Sequence, residues 1–406
     1  MGKLNLGKKL SAARELCHLE KIPIRVVVTG SRGKSALTRL LRQGFSACGL
    51  SVYARITGVV PRELSPLGER VIRRRSPAHI RETRWWLSQV PADANALVVE
   101  NSAVAPELQS FASDLIHPTL VVWTTLRADH VEAWGPGREG AARTLFRGVP
   151  PGVPVAGGAE LARSPLPRLF EENGNPLYLV PDIVPDIVTR PGKAEETGHK
   201  KENLALAELA YSLCGVDAPQ ISTLRSEAMA AMASLPPDLA DFRILREGQR
   251  QRQRERQDVG QDDELAVAFS ANDLESTRNL FAETGWSFEE TTLLYHHRPD
   301  RGARLGEFLS WIRECPWRDV VFTRARQPRI FSPLFSPLFS LLRRDSMFRG
   351  SMFCNPTLRN PIWNDAIDDP ASFRAWRGGR GRVFACGNVA GWPLEFLKEI
   401  ASSFTN

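Results

Sequence analysis

Apolar runs that stop abruptly at glycine or at charged side chains recur along this chain, with helix-period stretches between them. Ile22, Ile24, Val26, Val27 and Val28 make the first run, Thr29-Gly30-Ser31-Arg32-Gly33 interrupts it, and Leu37, Leu40 and Leu41 then share one face of a helix opening at Lys34. Residues 50–54, 94–100 and 120–125 predict three more strands in the first half. Residues 265–269, 291–295, 319–323 and 383–386 predict four in the second, with a helix from Leu274. Strands alternating with helices predict an α/β fold with a mostly parallel, doubly wound sheet. Consecutive prolines in Ser234-Leu235-Pro236-Pro237 stop an Ala- and Met-rich helix and set a domain boundary, giving 1–237 and 238–406.

Other stretches have a weaker pattern. An amphipathic helix is expected over 3–21, where Leu10, Ala13, Leu16 and Cys17 fall on one side. Residues 150–198, rich in Pro and Gly and containing the tandem VPDIVPDIV, predict short strands and loops. A helix follows from about 199 and stops at Gly215. The nearly apolar-free stretch 246–264 predicts a solvated loop or hairpin tip, and its arginines lack the interleaved aromatics of a nucleic-acid surface. The repeats FSPLFSPLFS and SMF read as packing rather than chemistry.

The first interruption carries the chemistry. A strand, a tight loop with two glycines, then Lys-Ser at a helix start is an arrangement that binds phosphate. Its spacing is G-x-x-G-K-S, shorter than the common G-x-x-x-x-G-K-[ST], which would need Gly where Val28 stands. Lys34 adds a full positive charge, and the Ser35 hydroxyl suits Mg²⁺. Glu100 ends the third strand, and Asp129 and His130 follow the fourth. Strand carboxyl ends face the ligand in parallel α/β sheets, so Glu100 is placed to hold a metal ion near the nucleotide. Arg62, Arg70, Arg73, Arg74, Arg75, Arg81 and Arg84 outnumber Glu63, Glu69 and Glu82 in the same stretch, and read either as a solvated face or as an anion-binding groove.

Composition narrows the picture only slightly. The net charge of +7 over 406 residues favours an acidic partner. Six scattered cysteines without a C-x-x-C pair, and histidines without H-x-x-x-H spacing, argue against a disulfide framework and a zinc hydrolase. No apolar run reaches the length of a signal-peptide core or a spanning helix, so a cytoplasmic location is expected.

Taken together, Thr29-Gly30-Ser31-Arg32-Gly33-Lys34-Ser35, the run 99–104, Asp129-His130-Val131-Glu132 and His199 to Asn203 resemble, in order, the motifs of Mur-type ATP-dependent amide ligases. Asn272-Asp273, Arg298-Pro299-Asp300-Arg301 and Gly387-Asn388 continue the series. Arg32 within the loop is similar to the ligase subunit of poly-γ-glutamate synthases, the CapB/PgsB type. The resemblance implies a central P-loop ATPase domain with a smaller Rossmann-like C-terminal domain. It further implies activation of a carboxylate as an acyl phosphate by ATP and attack by an amine. On that pattern Thr29 to Ser35 hold the nucleotide, Ser35 and Glu100 bind one Mg²⁺ and His130 a second, and Asn203 lies near the adenine. Asn272, Arg298 and Asp300 complete nucleotide binding from the second domain, and Arg301 joins Lys34 and His130 in catalysis.

The implied partners are glutamate and a polyanionic acceptor chain, no nucleic acid, and membrane subunits of a polymer synthase that would bring the chain to the inner face of the membrane. A homo-oligomer is left open. Departures from the family pattern are Thr125 where Asn is frequent, Glu132 where Asp is usual, and a carbamylated lysine for which Lys193 is a weak match. Only 29 residues precede Gly30, which argues against a UDP-sugar substrate. The alternatives are a folylpolyglutamate-synthase-like ligase and a non-catalytic nucleotide-binding module.

Overall fold

The computed structural model describes residues 16–58, 60–73, 81–128, 130–180, 198–215, 223–247, 263–271, 273–299, 302–324 and 362–404. Two compact units divide the chain, Met1–Pro236 and Pro237–Asn406.

The first unit is built on an eight-stranded sheet. Its strands are β1 (Ile24–Thr29), β2 (Val52–Ile56), β3 (Arg62–Ser65), β4 (Gly68–Val71), β5 (Ala96–Glu100), β6 (Leu120–Trp123), β7 (Val155–Gly157) and β8 (Leu177–Leu179). They run in the order β4-β3-β2-β5-β1-β6-β7-β8. β1 lies at the centre, parallel to both β5 and β6, with Val28 beside Glu100 and Thr29 beside Trp123. β2 is parallel to β5, so the carboxyl ends of β1, β2, β5 and β6 share one edge.

The strands are apolar without alternation because both faces are covered. Val26 and Val28 pack with Leu37, Leu41 and Phe45 of the helix Lys34–Ala47 on one face. On the other, Val27 packs with Leu97, Val99, Trp123 and Phe170. Among the described strands of this sheet the antiparallel pairings are those of β3 with β2 and with β4, and all of β4 is exposed.

The second unit carries a six-stranded sheet in the order β13-β12-β11-β14-β10-β9. Here β9 is Arg243–Glu247, β10 Asp263–Val267, β11 Thr291–His297, β12 Asp319–Arg324, β13 Ile362–Trp363 and β14 Arg382–Cys386. All pairings are parallel except β9 with β10, whose register sets Glu247 opposite Asp263. The ends of the polar stretch 246–264 are therefore the two arms of a hairpin, and its middle, 248–262, lies outside the described residues. The helix Leu274–Glu283 starts where its cap dictates, because the Asp273 carboxylate accepts from the Ser276 amide at 2.8 Å.

Several expectations need adjustment. The helix over 3–21 reduces, within the described residues, to a 3-10 turn at Cys17–Lys21. Residues 150–198 contain not only short strands but a helix, Leu166–Glu172, which tolerates its prolines because they stand at the cap and in the first turn. Both FSPLFSPLFS and the SMF triplets, with VPDIVPDIV beyond Val180 and Lys193, lie outside the described residues.

Candidate active site

Two backbone constraints shape the loop after β1. Gly30 has φ 123° and Gly33 φ 82°, both in the left-handed region that side chains disfavour. A Cβ on Gly30 would stand 2.3 Å from Thr124 Oγ1, and one on Gly33 would stand 2.9 Å from Asn203 Oδ1. Asn203, on the helix Gly198–Gly215, therefore lies directly against the loop.

The segment after β6 braces the loop from the other side. The Thr124 amide donates to Thr29 O and the Ser31 amide to Thr125 O, each at 2.9 Å. The Arg32 amide donates to Thr125 Oγ1 at 2.9 Å, and Ser31 Oγ donates to Arg127 O at 3.1 Å. Thr125, noted above as a departure, thus supports the loop through its hydroxyl. Two loop amides, those of Ser31 and Arg32, are committed to this bracing rather than turned to an anion. The helix Lys34–Ala47 begins directly after Gly33, and its first N–H groups have no partner within a helix. Lys34 folds back over the loop, its Nζ donating to Gly30 O at 2.7 Å and Ser31 O at 3.4 Å.

Glu100 ends β5 beside this helix start and is 4% exposed. Its Oε2 accepts from Ser35 Oγ at 2.9 Å and from the Thr57 amide at 3.1 Å, and its Oε1 accepts from Ser102 Oγ at 2.7 Å. Ser102 Oγ also bonds Thr57 Oγ1. Gly58, next in the turn after β2, comes so close that a Cβ there would stand 2.6 Å from Ser35 Oγ and 3.7 Å from Glu100 Oε1. A hydroxyl and a carboxylate oxygen side by side at a phosphate loop are hard oxygen donors, and two protein donors suit Mg²⁺, which keeps water and phosphate oxygens as its other ligands. Among the described residues no three His, Cys, Asp or Glu side chains gather as a metal cluster. The residues present fit a magnesium nucleotide.

The remaining expected positions are dispersed. His130 is half-buried with φ 47°, and its ring lies 5.0 Å from that of Trp134. The Trp134 indole donates to Val104 O at 2.6 Å, tying this turn to the segment after β5. Arg298 follows the end of β11 and is half-buried. Asp129, Asn272, Asp300 and Arg301 lie outside the described residues. Beside Arg298, His296 is fully buried, with Nδ1 accepting from Thr323 Oγ1 at 2.7 Å and Nε2 donating to Ala390 O at 2.9 Å. Burial, partly opposed by the Ala390 carbonyl, pushes its pKa down to about 4, so it is neutral.

The arginine-rich stretch divides. Arg62 pairs with Glu69 at 3.0 Å and Arg70 pairs with Glu63, so these two are engaged with the acids counted beside them. Glu63 and Glu82 also hold Arg55, at 3.2 Å each. Arg73 is exposed, Arg84 is half-buried, and Arg74 and Arg75 lie outside the described residues. Sequence reasoning assigned no role to Thr57, Gly58 or Ser102. The rule that strand carboxyl ends face the ligand reaches Thr57 and Gly58, and Ser102 stands two residues beyond Glu100.

Residues 28–147 match the Mur ligase middle domain, and residues 254–403 match the poly-gamma-glutamate synthase CapB C-terminal domain. The chain is 24% identical over 310 residues to the PGA synthase CapB of Bacillus subtilis (strain 168), covering 74% of each. It is 25% identical over 312 residues to the capsule biosynthesis protein CapB of Bacillus anthracis, covering 72% of this chain and 61% of that protein. Its fold is similar, at a TM-score of 0.60 and 14% identity over 98% of this chain and 93% of the other, to a bifunctional folylpolyglutamate synthase/dihydrofolate synthase solved with Mn, AMPPNP and L-glutamate bound. With a region matching the Mur ligase middle domain followed by one matching the CapB C-terminal domain, the chain is an ATP-dependent, C–N bond-forming ligase.

Proposed function

We propose that this chain extends a poly-γ-glutamate chain by forming amide bonds between glutamate units. A side-chain carboxylate oxygen attacks the γ-phosphorus of ATP, and ADP leaves. The amine of the next amino acid then attacks the acyl carbonyl, loses a proton, and expels phosphate carrying the former carboxylate oxygen. Little covalent work falls to the protein in such a transfer; position and charge do most of it.

Lys34 supplies positive charge where the transferring phosphoryl group gathers negative charge, and the helix start adds its own. Ser35 and Glu100 would hold Mg²⁺, which when bound neutralises phosphate oxygens. Asn203, which lies against Gly33, is assigned to the nucleotide on the strength of the motif order. His130 as a second metal position, and Asn272, Arg298, Asp300 and Arg301 as contributions from the C-terminal unit, are part of the proposal on the strength of the motif order. The exposed Arg73 is offered to an anionic acceptor chain. No helix among the described residues is long and apolar enough to cross a membrane; attachment through partner subunits is part of the proposal on the strength of the family resemblance.

The observation that carries this reading is the Ser35–Glu100 pair beside the phosphate loop. The fold likeness to a folylpolyglutamate synthase favours a second reading, with a small pterin-bearing acceptor. Phosphate release from ATP with Mg²⁺ should be measured with single amino acids, oligoglutamates and a folate. Release that depends on glutamate and oligoglutamate is expected. Stimulation by folate alone would support the second reading, and release independent of any carboxylate acceptor would overturn both.

A further inference from the structure

Glu100 accepts hydrogen bonds from three segments, and only one of those bonds competes with a metal. Ser35 Oγ donates from the helix start at 2.9 Å, the Thr57 amide from the turn after β2 at 3.1 Å, and Ser102 Oγ from beyond β5 at 2.7 Å. A cation bound between Ser35 and Glu100 replaces the first bond. The other two remain available to aim the carboxylate.

A serine hydroxyl has one proton. That of Ser102 is donated to Glu100 Oε1, so in the bond between Ser102 and Thr57 the Thr57 hydroxyl is the donor. The result is a relay, Thr57 O–H to Ser102 O–H to Glu100, closed by the Thr57 amide on the other carboxylate oxygen. Oε2 of Glu100 is thereby fixed directly from a turn 43 residues away in the chain, and Oε1 through Ser102.

We propose that Ser102, backed by Thr57, is a positioning residue that holds Glu100 in its metal-binding orientation and sets the Mg²⁺ requirement for nucleotide binding. The inference rests on the proposed magnesium nucleotide site. Groups that orient a metal ligand without touching the metal are worth about 10–100-fold in metal affinity when removed. Ser102 itself is exposed, so its replacement leaves no cavity in the core.

The test is calorimetric binding of ADP to the full chain over a Mg²⁺ series and in EDTA. Ser102→Ala should raise the Mg²⁺ concentration for half-saturation about tenfold while leaving the affinity in EDTA unchanged. Ser102→Thr, which keeps the hydroxyl, should stay near the wild type, and Thr57→Val should move in the direction of Ser102→Ala by a smaller factor. A Mg²⁺ requirement unchanged in both Ser102→Ala and Thr57→Val would overturn the relay, as would an equal loss of affinity with and without Mg²⁺. A wild type that binds ADP without any Mg²⁺ dependence would overturn the proposed site itself, and the relay with it.

Discussion

Substituting Gly58 by Ala places a methyl group 2.6 Å from Ser35 Oγ, well inside contact distance, while the Gly58 backbone lies outside the left-handed region. The main chain therefore accepts the change, and reduced freedom of the unfolded chain contributes about 0.4–1 kcal/mol in its favour. Against this, Ser35 Oγ must move and gives up its bond to the Glu100 carboxylate, and a hydrogen bond to a charged group contributes about 1.5–3 kcal/mol. The net effect on folding is a loss of about 1–2 kcal/mol, small enough for the chain to remain folded.

Nucleotide binding should suffer differently. With the hydroxyl displaced from its place beside Glu100, Mg²⁺-dependent ADP affinity should fall at least about tenfold, or about 1.4 kcal/mol. Binding in EDTA should change little. Calorimetry with and without Mg²⁺, alongside a urea melt, reads both quantities. Wild-type Mg²⁺ dependence in Gly58→Ala would refute the placement of a metal between Ser35 and Glu100.

Two other predictions concern stability. Arg55 is 1% exposed between Glu63 and Glu82, with its guanidinium 5.8 Å from the Trp86 ring centre, so Arg55→Met should destabilise the first unit by about 3 kcal/mol in urea; a loss below about 1 kcal/mol would mean the pair behaves as a surface one. For His296 the folded pKa, about 4, lies below the usual 6.5, so its contribution is complete above pH 6.5 and is lost as pH falls towards 4. The full amount is about 3 kcal/mol, and denaturant melts of His296→Gln should show a flatter slope across that window; an unchanged slope would contradict neutral burial.

The strands were the most legible part of the fold. β1, β5 and β6 are buried on both faces, so their apolar runs are continuous and end sharply. The β3–β4 hairpin was hidden for the opposite reason. It has few apolar residues, all of β4 is exposed, and what steadies it is ion pairs, so its arginines looked like a charge run. Ser35 and Glu100 could be named because each obeys a local rule, the loop spacing for one and the strand end for the other. That their side chains meet at 2.9 Å follows from β1 and β5 being parallel neighbours. Thr57 and Gly58 acquire their meaning once the fold brings the turn after β2 against Glu100 and Ser35, and Ser102 once its hydroxyl is placed on the Glu100 carboxylate.

The central claim is that a carboxylate becomes an acyl phosphate before an amide forms. Oxygen-18 in the side-chain carboxylate of the glutamate acceptor tests it directly, with released phosphate read by mass spectrometry in the presence of ATP, Mg²⁺ and the amino acid. The account predicts that each phosphate formed with an amide bond carries one labelled oxygen. Unlabelled phosphate accompanying amide formation would contradict it.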